Sequence, residues 1–176
     1  MSSRKIRCRW AFCLCAIFLV ACFGIDRRGG IVHYAGGEAT TGEGRFRTGP
    51  LPPSWKGPSL RLKQLVFEDN GIGATIVTDA LCGPKFNDAP LPRLARDLFE
   101  RLDQKKLGAE KWLTLDGRQA VRLEGEGSLD GVPIRMEVVV SKKNFCLYDF
   151  VYFAPPDTFQ KGWQDFEGYL NGFRVR

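Results

Sequence analysis

The chain has 176 residues, 44% of them hydrophobic and 26% charged, which is enough apolar content for a packed core and excludes a disordered polyelectrolyte. Its formal net charge is +6, and it holds six cysteines but one histidine, His33, so no multi-histidine metal set is available. That charge is unevenly placed, and the imbalance begins at the first residues.

MSSRKIRCRW carries Arg4, Lys5, Arg7 and Arg9 with no acidic residue, and AFCLCAIFLVA then runs apolar from Ala11 to Ala21. Those eleven residues are too few to cross a bilayer core, which takes about 20 residues in a helix. A basic segment followed by a short apolar one reads as a secretory leader. It ends in LVAC, and Leu19, Val20, Ala21 and Cys22 match, position by position, the motif they resemble: the lipobox of bacterial lipoproteins. The resemblance implies a diacylglycerol thioether on Cys22, cleavage of residues 1–21 and acylation of the new amino terminus. Phe23 stands where an aspartate would resemble an inner-membrane retention signal, so the pattern points to the outer membrane. Cys22 is read as an anchor, not a catalyst.

Cleavage would remove four of the 26 basic residues and none of the 20 acidic ones, lowering the formal charge to +2. A nearly balanced domain offers no clustered basic face for nucleic acid. Residues 23–44, FGIDRRGGIVHYAGGEATTGEG, contain seven glycines and read as a flexible tether in which IVHY forms at most a short strand or a sticky patch. His33 lies in it as a bystander.

Residues 45–176 are of a size for a single domain. RFRTGPLPPSWKGPSL opens with a short strand and a proline-rich stretch, and Trp55 is expected to plug a core edge. LRLKQLVFED and IGATIVTDAL read as two strands joined at DNGIG, where Asn-Gly suits a tight hairpin. Leu91, Leu94, Leu98 and Leu102 then recur at helical spacing, opened by Asn87, Asp88 and two prolines and closed by Gly108. Strand alternation returns with turns at Asp116-Gly117 and Asp130-Gly131. Val121 and Leu123 alternate with Arg122 and Glu124. Ile134, Met136, Val138 and Val140 alternate with Arg135 and Glu137, one face dry and the other wet. NFCLYDFVYFA is apolar on both faces: Phe145, Leu147, Val151 and Phe153 on one, Cys146, Tyr148, Phe150 and Tyr152 on the other. Such a strand is central and covered on both sides. Phe159, Trp163, Phe166, Leu170 and Phe173 mark a final helix that packs its aromatic stripe on the sheet, with Asp157 and Gln160 at capping-box spacing.

The periodicities give an α+β domain, an antiparallel sheet of about six strands covered by helices. PPSW, the leucine-rich helix at 91–102, DGVPI, YDFVYFAPPDTF and FEGYLNGF, in this order, resemble the PsbP-like superfamily of small α/β/α sandwiches. The resemblance implies a non-catalytic domain that binds or assists larger assemblies. Photosystem signatures and Ran-binding residues have no match here, so no partner is carried over.

With Cys22 acylated, Cys82 and Cys146 remain in a compartment that permits disulfides. They are expected to be bonded, with two separate thiols as the alternative; no Cys-x-x-Cys or neighbouring histidine supports redox catalysis. Asp149 shares a face with Phe145, Leu147, Val151 and Phe153, and is read as a buried acid that meets an arginine or lies near the strand's wet end. Glu124, Glu126 and Asp130 flank a hairpin without the spacing of a calcium loop, so no metal is expected. Ser128 and Ser141 have no histidine to activate them, and no nucleotide loop is present. No cofactor is expected. The leading expectation is a membrane-anchored envelope protein that binds another envelope protein or a small apolar ligand. One alternative is a lipid or apolar-ligand carrier with a cavity between the aromatic helix and the sheet. The other is a hydrolase in which acids such as Asp149 and Glu124 converge in a cleft.

Overall fold

The computed structural model describes residues 29–83 and 89–176. The leader, Cys22, Asn87 and Asp88 lie outside them. Three short strands come first, β1 (His33–Ala35), β2 (Glu38–Thr40) and β3 (Arg45–Arg47), followed by β4 (Lys56–Arg61), β5 (Gln64–Asp69) and β6 (Ala74–Cys82). Helix α1 (Leu91–Asp97) leads to β7 (Asp103–Leu107), β8 (Lys111–Leu115), β9 (Arg118–Leu129), β10 (Val132–Lys143) and β11 (Cys146–Ala154). Helix α2 (Phe159–Asn171) and β12 (Arg174–Val175) follow. The central antiparallel sheet has the order β4-β5-β6-β11-β10-β9-β7, with β8 also paired to β9, and a second sheet has the order β1-β2-β3-β12.

Helices cover both faces of the large sheet, an α/β/α sandwich, and β11 is a middle strand as its two-sided apolarity requires. Val121, Leu123, Ile134, Met136, Val138, Val140 and Leu147 pack with Ala95 and Phe99 on the α1 side. On the other side Tyr148, Phe150 and Tyr152 meet Phe159, Phe166, Tyr169 and Phe173, all essentially inaccessible to solvent. Their rings interlock: Phe173 lies edge-on to Tyr148 and to Phe150, each at 5.0 Å between centroids, and Tyr152 stacks on Phe166 at 5.4 Å.

Two close approaches fix α2 on the sheet. Gly162, inside the helix, leaves room for the Tyr152 hydroxyl, which donates to the Phe159 carbonyl over 2.6 Å. Gly49 lies against Gly168 and Gly172, and its N–H donates to the Tyr169 carbonyl. A Cβ at residue 49 would overlap the Gly168 carbonyl, so Gly49→Ala is expected to destabilise the fold by about 3 kcal/mol, read as a lower urea midpoint.

Several expectations need correction. The described residues form twelve strands rather than about six. The tether expected through residue 44 is shorter, because Ile31 and Ala39 are buried in the α2-side core and residues 33–40 form a hairpin that turns on Gly36 and Gly37, both at positive φ. LRLKQLVFED is not one strand: it breaks at Leu62–Lys63, the turn between the end of β4 and β5. Helix α1 stops at Asp97, and 103–107, expected to lie before a helix end at Gly108, is the edge strand β7. The Asp157–Gln160 capping box is not formed: Thr158 precedes α2 and its hydroxyl donates to the Ile72 carbonyl instead. The side of β10 expected to be wet is partly roofed by α2, which leaves Glu137 3% exposed.

Candidate functional site

Cys82 and Cys146 face one another across β6 and β11, joined by a disulfide with 4.0 Å between their Cα atoms. The chain enters the domain beside this bond. The Cys82 N–H donates to the Gly29 carbonyl over 3.2 Å, and the Ile31 N–H to the Lys63 carbonyl over 2.9 Å. Gly29 has φ +105°, and a Cβ there would strike the Cys82 backbone, so only glycine passes this seam without strain. On either side of the seam is a two-residue turn, Leu62–Lys63 between β4 and β5 and Asn144–Phe145 between β10 and β11. All four residues have positive φ. The Gly83 N–H bonds the Phe145 carbonyl, which ties the second turn to the same end of the sheet.

Asp149 lies on the α1 side and is 7% exposed, as its position among apolar neighbours predicts. The residue facing it is not an arginine, however, but Asp79, its register partner on β6. Asp79 accepts hydrogen bonds from Gln64 Nε2 and from the Ala80 N–H, both at 2.8 Å. Asp149 Oδ1 has no hydrogen-bond partner. Burial first, and then the neighbouring Asp79 carboxylate, pushes the Asp149 carboxyl up to about 7. Lys142, on the adjacent strand β10, sends its ammonium to the Ala89 carbonyl.

A charged cleft of about 410 Å³ lies on the opposite face, where residues 108–110 run along the edge of β9 between β7 and β8. Lys106, Lys111, Arg122, Glu124, Glu126 and Glu137 contribute to its walls. Arg122 bridges Glu137, at 3.4 Å, and Glu167 of α2. Trp163 Nε1 donates to Glu137 Oε2 over 3.2 Å. Burial raises the Glu137 carboxyl above its ordinary range against the pull of Arg122 and the Trp163 bond. Arg135 engages Glu124 and reaches Glu126 at 3.9 Å. These charges are largely spoken for by one another, and no group of three His, Cys, Asp or Glu side chains that could hold a metal occurs among the described residues.

The structure therefore separates the acids named from sequence. Glu124 pairs with Glu137 on the α2 side of the sheet, whereas Asp149 pairs with Val140 and Asp79 on the α1 side, so the convergence that a two-acid hydrolase requires is not made. Asp130 sits at the far turn between β9 and β10. Ser141 is buried and its hydroxyl donates to the Gln119 carbonyl. His33 is exposed on β1. Sequence reading missed the Arg122–Glu137–Trp163 contact; its signal was an arginine and a glutamate on adjacent strands beneath the aromatic helix.

No protein-family profile matches the sequence, and no curated protein matches it. Solved structures do match. The solution structure of cyanobacterial PsbP from Synechocystis covers 90% of this chain and 99% of its own, with a TM-score of 0.52 at 17% identity. The chain shares the PsbP fold. A protein of unknown function from Pseudomonas aeruginosa, described as a putative regulator, covers 84% of the chain and 99% of its own length with a TM-score of 0.55 at 15% identity. LpqN of Mycobacterium tuberculosis, described as involved in cell envelope biogenesis, covers 84% and 90% with a TM-score of 0.56 at 16% identity. At such identities what these proteins share with the chain is the PsbP-fold backbone, and function has to be argued from this chain's own surface.

Proposed function

We infer that the chain is a lipid-anchored protein on the periplasmic side of the outer membrane, held by acylated Cys22, and that its PsbP-fold domain is a non-catalytic binding or accessory module of the cell envelope. The observation that carries this reading is the Cys82–Cys146 disulfide, formed beside the point where the chain departs towards LVAC. A buried structural disulfide belongs to an oxidising compartment, which is where a lipobox leader would deliver the chain. The envelope role described for LpqN, which has the same fold, agrees with it. The space between α2 and the sheet, where a carrier would hold an apolar ligand, is filled by Tyr152, Phe159, Phe166, Tyr169 and Phe173. That packing favours recognition at the surface.

The test is an intact mass, under non-reducing conditions, of protein made with its own leader and extracted from membranes. The expected species begins at Cys22, carries three acyl chains and is two hydrogens lighter than the dithiol. A mass corresponding to the whole unprocessed chain would overturn the assignment.

A further inference from the structure

Four of the seven exposed large apolar side chains among the described residues, Val32, Leu60, Leu62 and Phe145, gather at the end of the molecule where Gly29 enters. Leu62 is 77% and Phe145 76% exposed, the two highest values of that group. Turn chemistry does not explain them. A two-residue turn with positive φ at both positions is best served by Asn and Gly, yet Leu62 adopts φ 49° and Phe145 φ 61°. Large side chains occupy places where the fold favours small polar ones, and they touch water rather than the core.

The anchor decides what covers them. Six residues lie between Cys22 and Gly29, and extended chain spans at most about 3.6 Å per residue step, so Gly29 lies within about 25 Å of the Cys22 backbone. The turn between β9 and β10 lies at the opposite end, a strand length of about 36 Å away from the Asn144–Phe145 turn. Arg61 and Lys63 flank Leu62, so cations border this apolar tip as anionic headgroups would require.

We propose that this end of the sheet is a membrane-docking surface: the side chains of Leu62 and Phe145 insert into the phospholipid bilayer that holds Cys22, and the domain stands on the membrane with the β9–β10 turn directed away from it. The proposal rests on the anchor inferred above. It gives the Gly29 seam a purpose beyond stability, because the seam sets both tips at the root of the tether.

The experiment uses the mature lipidated protein in vesicles of phosphatidylethanolamine and phosphatidylglycerol, with or without bromine on the acyl chains near the headgroup. Leu62→Trp, Phe145→Trp and, as a control at the far end, Val132→Trp are compared with wild type. All three sites are exposed turn or strand-end positions, so the fold tolerates the substitutions. Emission from the tryptophans introduced at 62 and 145 is expected to fall about two-fold or more in brominated vesicles, because residues at the headgroup–acyl boundary come within contact of the quencher, while the one at 132 is unchanged. Lipidated protein, verified by mass, with unquenched tips overturns the docking surface and leaves the anchor standing. Protein that lacks acyl mass overturns both.

Discussion

Replacing Cys82 and Cys146 together by alanine is expected to lower the unfolding free energy by about 4 kcal/mol, the entropy of closing a loop of this length in the unfolded chain. The bridge spans a sequence separation of 64, and the closed segment includes α1 and β7 to β10. The two residues are already register partners on neighbouring strands, so the native sheet holds them together without the bond, and the effect acts on the unfolded ensemble. Both sulfurs are buried, and the space they vacate adds a smaller packing loss. Urea unfolding checks this in two ways. The midpoint should fall, and the denaturant slope should rise, because an uncrosslinked chain exposes more surface when it unfolds. A midpoint equal to that of the parent would mean that the bridge is absent from the folded protein. The seam at Gly29 hangs from the Cys82 N–H, so loss of the bond should also speed amide exchange there before the core opens.

How far the fold was legible follows from which signals survive without tertiary context. Strand β11, strand β10 and the stripe of α2 were readable because side-chain period is set by the backbone alone. Ile134, Met136, Val138 and Val140 do lie in one cluster, and Phe159, Phe166, Leu170 and Phe173 do lie in the other. Failures came where one composition serves two ends. Gly36 and Gly37 look like tether but are the turn of a hairpin that buries Ala39. DQKKL has no apolar period because β7 is an edge strand exposed throughout. Leu62–Lys63 and Asn144–Phe145 turn with three residues that rarely adopt positive φ, so LRLKQLVFED read as unbroken strand and NFCLYDFVYFA as strand from Asn144 onward.

The same limit governed the site. Asp149 was visible as an acid on an apolar face, because its immediate neighbours declare the face. Asp79 was not, because it is brought opposite by the register of β6 on β11, and register between distant strands is decided by the whole core. Arg122 and Glu137 were read as the wet side of their strands until α2 was laid over them with Trp163 pointing inward. In each case the missing information was a partner remote in sequence, whereas the disulfide could be anticipated by counting cysteines within an inferred compartment.

Asp149→Asn should stabilise the protein at pH 8 by up to about 4 kcal/mol and leave it nearly unchanged at pH 4. The Asp149 carboxyl is raised to about 7 in the folded chain from its ordinary 3.8. That displacement corresponds to about 4 kcal/mol. Between those two values the folded state holds a proton that the unfolded state has released, so stability falls as pH rises from about 4 to about 7 and is lowest above that window. Asparagine is close in size and uncharged at every pH, so it removes this dependence without opening a cavity. Urea midpoints measured across the window should therefore converge at the acid end and separate at the alkaline end. The remaining downward slope in the variant belongs to other raised acids, chiefly Glu137 on the opposite face, whose carboxyl is also held up by burial. Asp79→Asn should act in the same direction but less, since it removes only the like charge, and burial is the larger cause. Wild-type and Asp149→Asn curves that stay parallel from pH 4 to pH 8 would show that Asp149 ionises as it does in water, and that the pair of acids between β6 and β11 is solvated.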